Sequence, residues 1–125
     1  MTVSLVSFGY KFGIPPEADL LFDVRFLPNP YFIENLKAFP GTSAKVKKFV
    51  LSHKATKEFL DKLSPLLNHI IPLYSQEGRS YLTIGIGCTG GRHRSPAIVQ
   101  HIETYLRKLG IKTTVSHRDL DRASS

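Results

Sequence analysis

The sequence predicts an α/β fold: one small domain over residues 1–125, with a largely parallel four-stranded sheet covered by helices. Three observations predict it. Strand-length apolar runs alternate with segments of helical period in the order β-β-α-α-β-α-β, the pattern of parallel strands joined by crossovers. Near the C-terminus a glycine-rich stretch joins an apolar strand directly to a well-punctuated helix, giving a strand–phosphate loop–helix unit. With 125 residues, 42% hydrophobic and 22% charged, the chain has ordinary globular composition and enough length for a core without staples.

Val3–Phe8 (VSLVSF) reads as a short, mostly buried strand stopped by Gly9 and Gly13, and Leu20–Val24 (LLFDV) as a second. Phe26–Pro40 holds Pro28, Pro30 and Pro40, so it is an ordered loop with at most one helical turn. Ala44–Leu51 places Val46, Phe49 and Val50 at helical spacing, with Thr42 or Ser43 as N-cap. Lys57–Tyr74 keeps a 3.6 period through Leu60, Leu63, Leu67 and Ile71; Pro65 and Pro72 should kink or divide it, and Gly78 closes it. Tyr81–Ile86 (YLTIGI) is apolar on both faces, as in the centre of a covered parallel sheet. Ser95–Leu109 is a helix with Ser95 as N-cap, Pro96 at N1, Arg107 and Lys108 at its negative end and Gly110 at C′. Lys112–Ser116 is the last strand.

Charge gives the first functional direction. Seventeen Lys/Arg against ten Asp/Glu leave a net +7, which favours anionic partners such as nucleic acid or phosphorylated metabolites. No apolar run approaches the roughly 18 residues of a membrane span. The start, MTVSLVSFGYKFG, lacks a basic region followed by a long apolar stretch, so a cytoplasmic location is expected. A lone cysteine, Cys88, excludes an internal disulfide framework, and His53, His69 and His101 show no metal spacing. No metal and no cofactor are expected.

The chemistry lies in Gly87-Cys88-Thr89-Gly90-Gly91-Arg92-His93-Arg94-Ser95. Gly90 and Gly91 permit the positive φ values that turn successive N–H groups inward, and the helix that follows adds the positive end of its dipole. Arg92, His93 and Arg94 add charge, and Arg94 offers paired hydrogen bonds to a phosphate. Cys88, five residues and Arg94-Ser95 resemble the Cys-x5-Arg-Ser/Thr signature of protein tyrosine phosphatases, in which a thiolate attacks phosphorus. Gly87 departs from the histidine that signature usually carries, and no general acid is evident: Asp61 falls inside a helix and Asp119 follows the last strand. For a lone cysteine at a buried strand end the ordinary reading is a small inert core residue. Asp23 and Arg25 either reach this crevice or form a structural ion pair, and His117-Arg118 either adds to its charge or faces solvent. The lysines 45, 47, 48, 54 and 57 suit a solvated helix face or a track for RNA phosphates.

The words SFGYKFG (7–13), FDVRFLPNPY (22–31), SYLTIGIGCTGGRHRS (80–95) and VSHRDL (115–120) together resemble the C-terminal domain of the RapZ family of RNase adapter proteins. The resemblance covers nearly the whole chain in order. It implies an α/β unit with a phosphate-type pocket and a basic RNA-binding surface, sensing glucosamine-6-phosphate and presenting small RNA to an endoribonuclease. It assigns the sugar-phosphate pocket to Cys88, Thr89, Gly90, Gly91, Arg92, His93, Arg94 and Ser95, with Asp23, Arg25, Asn29 and Tyr31 across the crevice. Tyr31 stands where the enterobacterial pattern has histidine. RNA contacts fall to Lys11, Lys45, Lys47, Lys48, Lys112, His117, Arg118 and Arg122. Full-length family members begin with a P-loop domain; no G-x-x-x-x-G-K-[ST] occurs in these residues, so nucleotide hydrolysis is not expected of them. Such a domain becomes a candidate partner, and a homodimer is the expected assembly.

Three functions follow. The first is a non-catalytic sensor and adapter that binds a sugar phosphate, with RNA as a second ligand. The second is a cysteine-dependent phosphatase using Cys88 and Arg94. The third is a purely RNA-binding module whose loop grips backbone phosphates.

Overall fold

In a computed structural model that describes residues 1–122, the sheet is four-stranded and wholly parallel. The last three residues of the expected 1–125 unit lie outside the described residues. Strands β1 (Thr2–Gly9), β2 (Leu20–Asp23), β3 (Tyr81–Cys88) and β4 (Lys112–His117) stand in the order β2-β3-β1-β4. Between β2 and β3 run helices α1 (Ala44–Ser52) and α2 (Lys54–Gln76); α3 (Arg94–Lys108) joins β3 to β4.

Handedness explains where the layers lie. The connections β2→β3 and β3→β4 advance in the same direction across the sheet, so right-handed crossovers put α1, α2 and α3 on one face. The core is there: Val3 and Leu5 of β1 and Leu82, Ile84 and Ile86 of β3 pack with Val46, Val50, Leu63, Leu67, Ile98, Ile102 and Leu106. The connection β1→β2 runs the other way and crosses the opposite face as the segment 10–19. Phe8 is wholly buried outside the main core cluster, meeting the Tyr10 ring at 4.9 Å. The segment 10–19, rather than an α-helix, covers β3 there: Gly85 and Gly87 are buried beneath Ala18 and Tyr10, so β3 is covered on both sides as the sequence predicts.

Element ends follow local chemistry. The Ser43 side chain accepts the Val46 N–H and caps α1, as the sequence predicts. Helix α2 starts one turn earlier than predicted and continues through Pro65 and Pro72 without division. The two prolines are seven residues apart on the exposed side, so the carbonyls they leave unpaired face water. Helix α3 closes in a Schellman motif: Gly110 has φ +79°, its N–H donates to the Arg107 carbonyl, and Ile111 N–H donates to Leu106. No helix of the described residues is long and apolar enough to cross a membrane.

Candidate functional site

Opposite-face connections leave β1 and β3 although the two strands are neighbours, which makes the crevice beyond their C-terminal ends the topological switch point of this sheet. Both strands run into glycine-flanked turns there, and the turns are bolted together: Lys11 N–H donates to the Thr89 carbonyl at 3.1 Å. Gly91, with φ +80°, lies against Gly9 so closely that a side chain at either would strike the other's backbone. Gly90 is not among the residues with positive φ, so one glycine of the pair makes the turn.

A pocket of about 640 Å³ opens at this place, lined by Lys11, Arg25, Leu27, Asn29, Tyr31, Phe32, Thr89 and Arg94. Arg94 is its best-held member, only 3% exposed. Its Nη1 donates to the carbonyls of Arg25 at 2.7 Å and Leu27 at 3.3 Å, and Nη2 donates to Thr89 Oγ1 at 3.1 Å. Nε is buried without a hydrogen-bond partner. Burial lowers the Arg94 pKa, while Cys88 and Asp23 pull it upward. Arg25 Cζ lies over the Tyr10 ring at 4.0 Å, and the side chain grips Asp23 through Nε and Nη2, with Nη2 at 2.7 Å. The Arg25 side chain is the main cause that holds the Asp23 carboxyl below its ordinary pKa. Ion pair and pocket contact, posed as alternatives for this pair, thus coexist at Arg25.

The remaining loop residues serve other ends. Cys88 is fully buried on the helix-covered face; its Sγ accepts the Ser95 N–H at 3.4 Å and lies 3.2 Å from Ser95 Oγ. Ser95 is not the N-cap: α3 begins at Arg94, His93 occupies the cap position, and the Ser95 hydroxyl donates to the Phe8 carbonyl at 3.2 Å. Pro96 therefore sits at N3 rather than N1. His93, expected to add charge, is wholly buried with Nε2 donating to the Lys37 carbonyl at 3.0 Å. Burial lowers its pKa, so at neutral pH it carries no charge. Arg92 straps two loops by donating to the carbonyls of Leu120 and Ala38.

The residues expected to contact RNA do not form one patch. Lys11 lines the pocket, a place the sequence reading did not assign to it. Lys45, Lys47 and Lys48 stand on α1, while Lys112 begins β4 at the opposite end of the sheet. His117 Nδ1 pairs with Ser7 Oγ at 2.7 Å. Arg118 and Arg122 both engage the buried Asp119 carboxylate, at 2.8 and 3.6 Å. Leu27 and Phe32 of the pocket were also unassigned; the apolar, proline-bounded words around them carry no signal for a ligand.

The family model described as the RapZ C-terminal domain matches residues 1–121. A nucleotide-binding protein of Geotalea daltonii is 55% identical over 122 residues, covering 98% of this chain and 43% of the relative. Similarly named proteins of Geobacter sulfurreducens and Brevibacillus brevis are each 49% identical, over 98% of this chain and 43% and 41% of their own lengths. The chain thus spans about two-fifths of the curated relatives it matches.

Proposed function

Because the chain belongs to the family of RapZ C-terminal domains, we propose that it is a non-catalytic, cytoplasmic sensor domain that binds a phosphorylated aminosugar of the glucosamine-6-phosphate type. The observation that carries this reading is the convergence of Arg94, Arg25, Lys11 and Thr89 on one pocket at the switch point, with the Asp23 carboxylate beside it. The guanidinium and ammonium groups suit a phosphate, Thr89 adds a hydroxyl, and Asp23 offers a counter-charge to a protonated amine. A ligand with both charges satisfies this set better than inorganic phosphate does.

The non-catalytic part rests on Cys88. Its sulfur is buried in the helix-side core and is absent from the pocket lining, so a phosphorus held by Arg94 offers it no line of attack. The histidine of the phosphatase signature has no room either: a Cβ at Gly87 would press into the Phe8 and Tyr10 rings. Phosphorus NMR of glucosamine-6-phosphate with the protein tests both parts. The sugar-phosphate signal broadens or shifts, no inorganic phosphate accumulates over hours, and Arg94→Ala abolishes the change. An unperturbed signal refutes the sensor; inorganic phosphate that grows and disappears in Cys88→Ser replaces it by the phosphatase.

RNA binding is supported separately by α1, which presents Lys45, Lys47 and Lys48 and contains no acidic residue. Such a face neutralises phosphates without reading bases, so affinity for RNA falls steeply with salt and weakens further in Lys47→Glu/Lys48→Glu. Binding indifferent to both changes refutes it. An endoribonuclease and a P-loop domain remain the partners this reading calls for.

A further inference from the structure

The pocket lining divides into two chemical sets. Lys11, Arg25, Thr89 and Arg94 are cationic or hydrogen-bonding, whereas Leu27, Tyr31 and Phe32 are apolar or aromatic. Phe32 stands out because 79% of it is exposed, the largest exposure among the large hydrophobic side chains of the described residues. A mobile loop would bury such a ring or leave it unordered. Here the backbone holds it outward: Pro30 is buried at the start of a 3-10 turn, and Asn29 Oδ1 accepts the Tyr31 N–H at 3.1 Å. The Ile33 N–H closes the turn on the Pro30 carbonyl at 2.9 Å. The Tyr31 ring, itself under the Lys37 ammonium at 4.6 Å, meets Phe32 at 5.5 Å in an edge arrangement.

Resting on the phosphate-binding reading above, we propose that Phe32 is the ring platform of this pocket and its specificity residue, selecting cyclic sugar phosphates over acyclic phosphate esters. A phosphate alone engages only the cationic set. A pyranose carries a face of C–H groups, and packing that face on Phe32 removes apolar surface of both partners from water while its phosphate stays with Arg94, Arg25 and Lys11. The volume of about 640 Å³ lies within the usual range for sites that take a whole small molecule. Glycerol phosphate has the anion but no face to stack. Discrimination therefore comes from the ring, and the anion contributes equally to all three ligands.

The test is calorimetric titration of the protein with inorganic phosphate, glycerol 3-phosphate and glucose-6-phosphate, whose ring carries no amine for Asp23 to meet. Wild type prefers the cyclic ester over the acyclic one by roughly tenfold, the scale of one well-packed aromatic contact. Phe32→Ala removes most of that preference and leaves the affinity for inorganic phosphate unchanged, while Phe32→Tyr restores the preference. A Phe32→Ala protein that keeps the preference overturns the platform. So does one that loses affinity for all three ligands by the same factor, since that pattern marks a structural role. If wild type binds none of the three, the phosphate site itself is refuted and the platform falls with it.

Discussion

The Asp119 carboxylate, wholly buried, accepts the backbone N–H of Gly9 through Oδ2 at 2.8 Å, joining positions 110 residues apart. The same oxygen takes Arg118 Nη2 at 2.8 Å, and Arg118 Nη2 also donates to the Gly13 carbonyl at 2.6 Å. One carboxylate thereby pins the turn after β1, which carries Lys11, to the chain after β4. Asp119→Ala strands the buried Gly9 N–H and unties Arg118 and Arg122 from the carboxylate, and lowers stability by about 3 kcal/mol. Arg118→Ala, which leaves the carboxylate with other partners, costs about 1 kcal/mol. Urea unfolding of the three proteins measures both values.

Gly91 and Gly110 share a left-handed backbone but differ in surroundings. A Cβ at Gly91 meets Gly9 N and Phe8 backbone, whereas a Cβ at Gly110 meets open space. Gly110→Ala should cost about 1–2 kcal/mol, the conformational penalty alone. Gly91→Ala pays that penalty and also separates the two turns, so its thermal midpoint falls further and phosphate binding is lost with it.

Arg94→Lys keeps the charge and removes the fork. A single ammonium cannot reach the carbonyls of Arg25 and Leu27 and the Thr89 hydroxyl together. Sugar-phosphate affinity drops at least tenfold in titration, and stability falls by about 2 kcal/mol through the buried carbonyls left unpaired. Asp23→Asn acts on the amine instead: the protein loses its preference for glucosamine-6-phosphate over glucose-6-phosphate and still binds both.

Acid sensitivity traces to imidazoles that folding takes out of water, His93 wholly and His117 in part. Burial lowers the pKa of His93 and of His117 in the folded protein. The unfolded chain takes up these protons near its ordinary pKa of about 6.5, so it binds more protons than the native state below that value. Stability therefore declines as pH falls from 7 to 5. The lowered carboxyls of Asp19 and Asp23 act at more acidic pH, where their stabilisation is lost as pH falls through the ordinary carboxylate range toward their lowered folded values. His93→Gln flattens the decline between pH 7 and 5 in denaturant titrations; an unchanged slope assigns it to other groups.

Local signals carried most of the fold into view. The Ser43 cap, the Gly110 closure and the strand runs each rest on residues within a turn of one another, which periodicity and capping chemistry register directly. The glycine-rich loop was legible as a tight strand-to-helix turn because the left-handed backbone at Gly91 is written in its own residue type. What escaped depends on distant partners. Ser95 has an N-cap's sequence context, yet its hydroxyl is taken by Phe8, 87 residues away. His93 looks like a charge until its burial against Lys37 is known. Lys11 and Phe32 reach the pocket from separate loops that only the sheet order brings together.

The position of β1 also governs when this molecule can form. Strand β1, the first of the four strands in chain order, lies inside the sheet, pairing on one side with residues 81–88 and on the other with 112–117. Until residues 112–117 emerge, β1 with Val3, Leu5 and Phe8 has one open hydrogen-bonding edge or two. The sheet is thus completed only when β4 docks, and the Asp119 anchor follows β4 in the chain. A nascent chain arrested before residue 112 exposes an apolar edge strand, and on it chaperones and neighbouring chains compete with β4.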